Sequence, residues 1–231
     1  EGTDIYWARQ QVSERLLDIK DELPANMEGG LAPISTPLSD ILMFTIESST
    51  LSLEEKRTLL DWIISPKIRA VSGVAEVNPL GGKVKTYEVV PDLKRMRSLG
   101  ITLSKIFQTL QENNQNDGAG RVSQGVESIL VRSIGQLKNL KDIETLPVTK
   151  RDEKVITLGE VALVKFGYLT RAGFVSKNGY GEAVQGLVLG LKGTNTAIVL
   201  EKVKEELKKL EKMLPDDTKI EIFYDRSDLV N

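Results

Sequence analysis

Residues 57–92 read RTLLDWIISPKIRAVSGVAEVNPLGGKVKTYEVVPD. The stretch opens as a helix: Leu60, Ile64 and Ile68 fall four apart, and Leu59 and Ile63 widen the same apolar face. Ser52 and Glu55 stand upstream in capping-box order, which gives the helix a start. Pro66 lacks a backbone donor and clashes with the preceding turn, so it is expected to kink the helix or end its regular part. Ser72-Gly73 then stops it. Residues 74–77 predict a short strand, Gly81-Gly82 a hairpin turn and residues 84–90 the returning strand. A further β-prone run, 41–47, precedes the helix. The region is strand–helix–strand with a hairpin appended.

Upstream, residues 4–23 predict a helix with the stripe Val12, Leu16, Ile19, Leu23, ended by Pro24. Residues 25–37, broken by Gly29, Gly30, Pro33 and Pro37, read as a connector in which 31–34 could form an extended edge. Downstream, 92–99 and 102–112 predict two short helices separated by Gly100, the second capped by Thr102. Residues 113–125, NNQNDGAGRVSQG, carry almost no apolar side chain and predict a long loop, mobile or built to contact a partner. Residues 126–133, 154–158, 161–166, 185–191 and 219–224 predict strands. A helical turn falls at 139–145 and a long helix runs from Asn195 to Leu214. Strand–helix–strand thus occurs twice, at 41–77 and 185–224. Two such halves make an α+β fold, a split βαβ, ferredoxin-like sandwich with two helices on one sheet face. Residues 92–170 are then an inserted subdomain. The stripe of 203–214 also repeats that of 12–23, each ending at Leu-Pro, as two related units would.

The chain of 231 residues is 40% hydrophobic and 28% charged with net charge −2, which suits a globular protein and gives no support to nucleic-acid binding, although it leaves room for a local basic patch. No apolar run reaches the length of a membrane span, and the opening residues carry no signal-peptide pattern. Residues 1–4 lead almost directly into a helix, as an excerpt from a longer chain would. Without cysteine or histidine, thiolate chemistry, the commonest general base and the leading transition-metal ligands are missing. The methionines Met27, Met43, Met96 and Met213 are scattered, so no independent transition-metal site and no cofactor are expected. Gly179-Tyr180-Gly181 precedes a strand, not a helix, and predicts a turn rather than a phosphate loop. Gly81-Gly82-Lys83 has no Walker context. Asp216, Asp217, Glu221 and Asp225 crowd the last strand, where solvated charge is the commoner role. No nucleophile–base pair is present, and an enzyme is the least expected class.

The segments GTDIYWARQQVSERL, APISTPLSDILMFTIES, RTLLDWIISPKIRAVSGVAEVNPLGGKVKTYEV, VRSIGQLKNLKDIE and LPDDTKIEIFYDRSDLVN occur in an order that resembles the resistance–nodulation–division efflux pumps, closest to the heavy-metal exporters of the Czc/Cus type. The resemblance covers essentially the whole chain. It implies the large periplasmic region between the first and second transmembrane helices, on the periplasmic face of the inner membrane. Residues 1–34 would be the C-terminal part of a first porter subdomain. Residues 35–91 and 171–231 would form a second, discontinuous porter subdomain, and 92–170 an inserted α+β docking subdomain. The resemblance further implies a homotrimer working with a periplasmic adaptor and an outer-membrane channel. Ile41, Met43 and Leu80 would line the substrate path. Asn114, Asp117 and Arg121 would sit on a docking loop that reaches into the neighbouring subunit, mobile in this fragment and ordered in the assembled pump. The rival readings are a free-standing ferredoxin-like ligand-binding or regulatory module and a multidrug rather than metal pump.

Overall fold

The computed structural model describes residues 2–23, 30–35, 39–114, 116–124, 127–134, 137–151 and 153–229. In chain order the elements are α1 (Ile5–Asp18), β1 (Asp40–Glu47), α2 (Leu53–Leu59), α3 (Ser65–Arg69), β2 (Val74–Gly81), β3 (Lys85–Pro91), α4 (Leu93–Leu99), α5 (Leu103–Glu112), β4 (Asn116–Gln124), β5 (Glu127–Ile134), α6 (Leu140–Glu144), β6 (Pro147–Arg151), β7 (Lys154–Thr157), α7 (Leu158–Val161), β8 (Ala162–Tyr168), β9 (Val175–Ser176), β10 (Glu182–Gly190), α8 (Thr196–Glu211) and β11 (Lys219–Asp225). The chain divides into unit 1, residues 1–82 and 173–231, and unit 2, residues 83–172.

Unit 1 is built on a mixed α/β core. Its sheet runs β11-β1-β10-β2 with every neighbouring pair antiparallel, and β9 adds to β10. Each strand–helix–strand half leaves room for one strand between its own two, and the other half fills it. Leu42, Phe44 and Ile46 of β1 point one way and are buried, as alternation in a strand requires. They meet Leu60, Ile64 and Ile68 from one helical layer and Val199, Leu200, Val203, Leu207 and Leu210 of α8 from the other. Each such side chain contributes roughly 1.5–3 kcal/mol by leaving water.

The capping box forms as expected. The Ser52 hydroxyl accepts from the Glu55 amide, and the Glu55 carboxylate accepts from the Ser52 amide at 2.8 Å. The regular part of the helix ends ahead of Pro66, as expected, although helical backbone continues past it. One π turn, Leu60–Ile64, joins α2 to α3, with the Ser65 amide donating to the Leu60 carbonyl. The wider turn lets the chain pass a residue without an amide and go on to Arg69. The carboxylate of Asp217 ties the loop after β1 to the loop before β11: it accepts from the Ser49 amide at 2.9 Å, the Thr50 amide at 3.0 Å and the hydroxyls of Ser48, Ser49 and Thr50. Those bonds, led by Ser48, hold it far below the ordinary carboxylate range.

Helix α1 is capped by Asp4, which accepts from the Tyr6 and Trp7 amides, and a 3-10 turn at Lys20–Glu22 follows it. None of its residues is buried. The expected extended edge at 31–34 is not a strand. Pro24, Gly29 and Pro37 of that connector lie outside the described residues.

Two expectations fail in unit 2. The strand expected to return on β2 does not pair with it: β3 runs antiparallel to β8, from Lys85↔Tyr168 to Pro91↔Ala162. Gly81 and Gly82 do take the positive φ of a tight turn, at 70° and 68°. The turn carries the chain out of the sheet, and β2 keeps β10 as its partner there. Unit 2, which takes in β3, begins at Lys83. Nor is the described part of the polar stretch, 116–124, a loop. Residues 116–124 form β4, paired with β5 from Asn116↔Ile134 to Gln124↔Glu127. A two-stranded ladder is held by backbone groups and needs no apolar pattern. A separate core fills unit 2, with Ile101, Ile106, Ile143, Val148, Leu158, Val161 and Val164 at its centre.

Gly186 lies opposite Phe44 in the register, and a Cβ there would meet the Phe44 ring at 2.3 Å. Gly186→Ala should cost about 1–3 kcal/mol through overpacking. Urea unfolding of the two proteins checks this, and equal midpoints would refute it.

Candidate functional site

The sheet of unit 1 bears helices on one face, and directly opposed residues of an antiparallel pair share a face. The register therefore gives the other face in rows. Glu221, Thr45, Gln185 and Leu80 make one row, and Tyr224, Met43, Leu187 and Asn78 the next. Leu189 and Glu76 follow. Most of these side chains are half-buried or exposed, a mixed apolar and polar surface open to a ligand.

Thr45 is the exception, at 2% exposed. Lys177, in the turn after β9, reaches over it. Its Nζ donates to Glu47 Oε1 at 2.8 Å, to Glu221 Oε2 at 2.7 Å and to Thr45 Oγ1 at 3.2 Å. The Thr45 hydroxyl in turn donates to Glu47 Oε1 at 2.7 Å. The hydrogen bond from Lys177 outweighs burial and, with Thr45, holds the Glu47 carboxyl below its ordinary 4.5. Burial works to lower the Lys177 pKa, but the bonds to Glu221 and Glu47 overcome it and raise it above its ordinary 10.5.

Of the residues expected on a substrate path, Met43 and Leu80 share this open face, on strands separated by β10. Ile41 does not. The register slips between Asp40 and Leu42, which makes Ile41 the extra residue of a bulge. Both Ile41 and Leu42 enter the core cluster, and Ile41 is 1% exposed. The three residues expected on a docking loop all fall at one hairpin. Asn114 precedes β4 and accepts from the Leu137 amide at 3.2 Å, Asp117 pairs with Ser133, and Arg121 pairs with Leu130.

Three of the four carboxylates near the last strand go to separate partners. Asp217 clamps loops, Glu221 holds Lys177, and Asp225 pairs with Lys204 and accepts from the Ser227 amide at 2.9 Å. Among the described residues no group of three or more His, Cys, Asp and Glu could hold a metal ion. Sequence reasoning missed Lys177. Its only signal was a pair of like charges, Glu47 and Glu221, on neighbouring strands of one face, which needs a counter-charge once the register is known.

A profile of the AcrB/AcrD/AcrF family matches residues 1–231. The chain belongs to that family. It is 37% identical over 238 residues to "Protein HelA" of Legionella pneumophila and 35% identical over 240 residues to "Cobalt-zinc-cadmium resistance protein CzcA" of Cupriavidus metallidurans. Each match covers 100% of this chain and 22% of the relative. A solved structure described as a heavy metal efflux pump superposes with a TM-score of 0.84 at 29% identity, covering 100% of this chain and 23% of that one. The chain thus spans about a fifth of the length of the AcrB/AcrD/AcrF relatives it matches. Among the described residues no helix is long and apolar enough to cross a membrane.

The Lys177 cluster sets a pH window. Glu47 has a depressed pKa, so its contribution is full above 4.5 and is lost as pH falls through the folded value. Lys177 has a raised pKa, so its contribution is full below 10.5 and is lost as pH rises through the folded value. The stability difference between the wild type and Lys177→Met should therefore be constant across neutral pH and shrink at both extremes. Thermal unfolding at a series of pH values checks it, and a difference unchanged into strong acid would refute it.

Proposed function

We propose that this chain is the periplasmic porter and docking portion of a proton-driven heavy-metal cation efflux transporter, and that it carries part of the substrate path. The observation that carries the reading is the match of the whole chain to relatives named for metal resistance and cation efflux. The strand order β11-β1-β10-β2, with both helical layers on one face, supports reading unit 1 as a split βαβ, ferredoxin-like porter subdomain. Residues 35–91 and 171–231 belong to that subdomain in this reading, with β3 the segment by which the chain enters unit 2, and 92–170 belong to the docking subdomain. Residues 1–34 are the tail of a first porter subdomain. The exposure of Ile5, Val12, Leu16 and Ile19 along α1 supports this, since such a face calls for cover elsewhere.

Transport would proceed by alternating access, with porter subdomains tilting as near-rigid bodies while protons move through parts of the pump outside this chain. The open face of the unit 1 sheet is the wall exposed to cargo. Acidic residues outnumber basic ones in unit 1 and the balance reverses in unit 2, which favours cations near that wall. The full pump would be a homotrimer of the inner membrane, completed by a periplasmic adaptor and an outer-membrane channel.

In the full-length pump, Met43→Trp and Leu80→Asp should alter metal resistance at normal expression, whereas substitution of the buried Ile41 should act through folding. Unchanged resistance in both surface variants would overturn the path. The β4–β5 hairpin, with Asn114, Asp117 and Arg121, would dock on the neighbouring subunit. Replacing residues 116–134 by a short Gly-Ser turn should weaken the trimer while each subunit still folds. A trimer of normal stability, measured by detergent-phase ultracentrifugation, would refute that role.

A further inference from the structure

A cleft of about 480 Å³ opens in unit 2 between the turn that joins α4 to α5 and the strand β6. Leu99, Ile101 and Lys105 line one side, and Thr149, Lys150 and Arg151 line the other. The second wall is three consecutive residues of one strand. Neighbouring side chains of a strand point to opposite faces, so a cleft that all three line runs along the strand's edge and not across one of its faces. That edge is open. β6 pairs with β7 through Thr149↔Ile156, Lys150↔Val155 and Arg151↔Lys154, and among the described residues no strand takes its other side. Alternate backbone amides and carbonyls of β6 therefore point out of the ladder, toward the cleft.

The charged residues that line the cleft are all cations. Other cations of unit 2 are held by acids: Arg95 by Asp92 at 3.4 Å, Lys154 by Glu160 at 3.0 Å and Lys165 by Glu88 at 3.3 Å. Lys105, Lys150 and Arg151 are in no ion pair among the described residues. Like charges gathered at one concavity raise the potential there, and its low-dielectric walls focus that field on what enters. Leu99 and Ile101 make part of the lining apolar. The volume falls in the range of roughly 300–1,000 Å³ that ligand clefts occupy.

We propose that this cleft is a docking site for an extended, acidic segment of a partner protein, which adds as a strand along β6 and sets its carboxylates against Lys105, Lys150 and Arg151. The open edge selects an extended backbone, because only a strand can satisfy its outward amides and carbonyls in register. The cations select the charge of that strand, and Leu99 and Ile101 accept the apolar side chains that alternate with the acidic ones. A small free anion would meet the cations and leave the strand edge unpaired. The site lies wholly within unit 2 and does not depend on reading the unit 1 sheet as a cation path.

The test follows the amide resonances of the isotope-labelled 231-residue chain while a blocked peptide of alternating glutamate and valine is added. The controls are the same peptide with lysine for glutamate, the same peptide N-methylated throughout, and inorganic phosphate. The acidic peptide should saturate and shift Thr149, Lys150, Arg151 and Ile101 first, and each control should bind at least tenfold more weakly. Lys105→Glu/Arg151→Glu should lose the acidic peptide at least tenfold while resonances of unit 1 stay in place. Should that variant not fold, Lys150→Glu/Arg151→Glu, with both residues exposed, is read by the same criteria. Phosphate or the N-methylated peptide within threefold of the acidic peptide makes the cleft a bare anion site and overturns the proposal. Shifts centred elsewhere, or a folded double variant within threefold of the wild type, also overturn it. Sedimentation of the chain without peptide covers the remaining occupant: self-association that the double variant abolishes puts a second copy in the cleft and overturns the proposal, whereas a monomer leaves the cleft open to the peptide, as expected.

Discussion

The phenyl ring of Phe44 lies where a side chain on Gly186 would have to be. This contact fixes the register between β1 and β10, the two central strands, because a slip of one residue would set a different side chain against the ring and turn every other one to the wrong face. From that register follow the two surfaces of unit 1. Leu42, Phe44 and Ile46 go to the helices, and Met43, Thr45 and Glu47 to the open side. The helices then have little freedom. Gly73, with φ of 98°, tucks the turn before β2 beneath Val199 of α8, so that a Cβ there would meet Val199 at 2.4 Å. The packing of the core and the composition of the candidate site are thus one decision, made at a single glycine.

Much of this was legible in the residues. Helical stripes, the Ser52–Glu55 box, the caps Asn195 and Thr102 and the runs of β-branched residues are local signals, and they mark local structure correctly. What failed was non-local. Nothing in KTYEVVP says that its partner is ALVKFGY, and local pattern alone pairs it with the nearest strand. The polar residues of β4 hid a strand because its ladder is made by the backbone. The slip that buries Ile41 is invisible in an alternating run, since a bulge is a property of two strands together. The family resemblance reached what the pattern could not, the family itself, because it rests on the order of segments along the whole chain.

Carboxylates organise the two ends of the open surface differently. Asp217 is saturated by amides and hydroxyls of one loop and works as a fastener between β1 and β11. Glu47 and Glu221 are served chiefly by one flexible ammonium. Backbone amides cannot leave, whereas a lysine can swing away by rotating its stem, so the first arrangement is fixed and the second exchangeable. Their neighbourhood on one sheet shows how the same acid group becomes either structure or surface chemistry according to what donates to it.

Unit 2 departs after Gly82 and returns at Gly173. The end of β2 pairs with β10 through Gly81↔Val184, and Gly81 also lies against Val175. To the unit 1 sheet the whole of unit 2 is therefore a loop between two adjacent antiparallel strands. Loop closure grows only with the logarithm of length, so a loop of this size rather than a tight turn costs about 3 kcal/mol. A second core, closed on itself, offsets that amount. Such a graft is cheap to acquire and cheap to exchange. One half of the chain can drift toward new neighbours while the other keeps its sheet, so the two can evolve as separate modules on a single polypeptide.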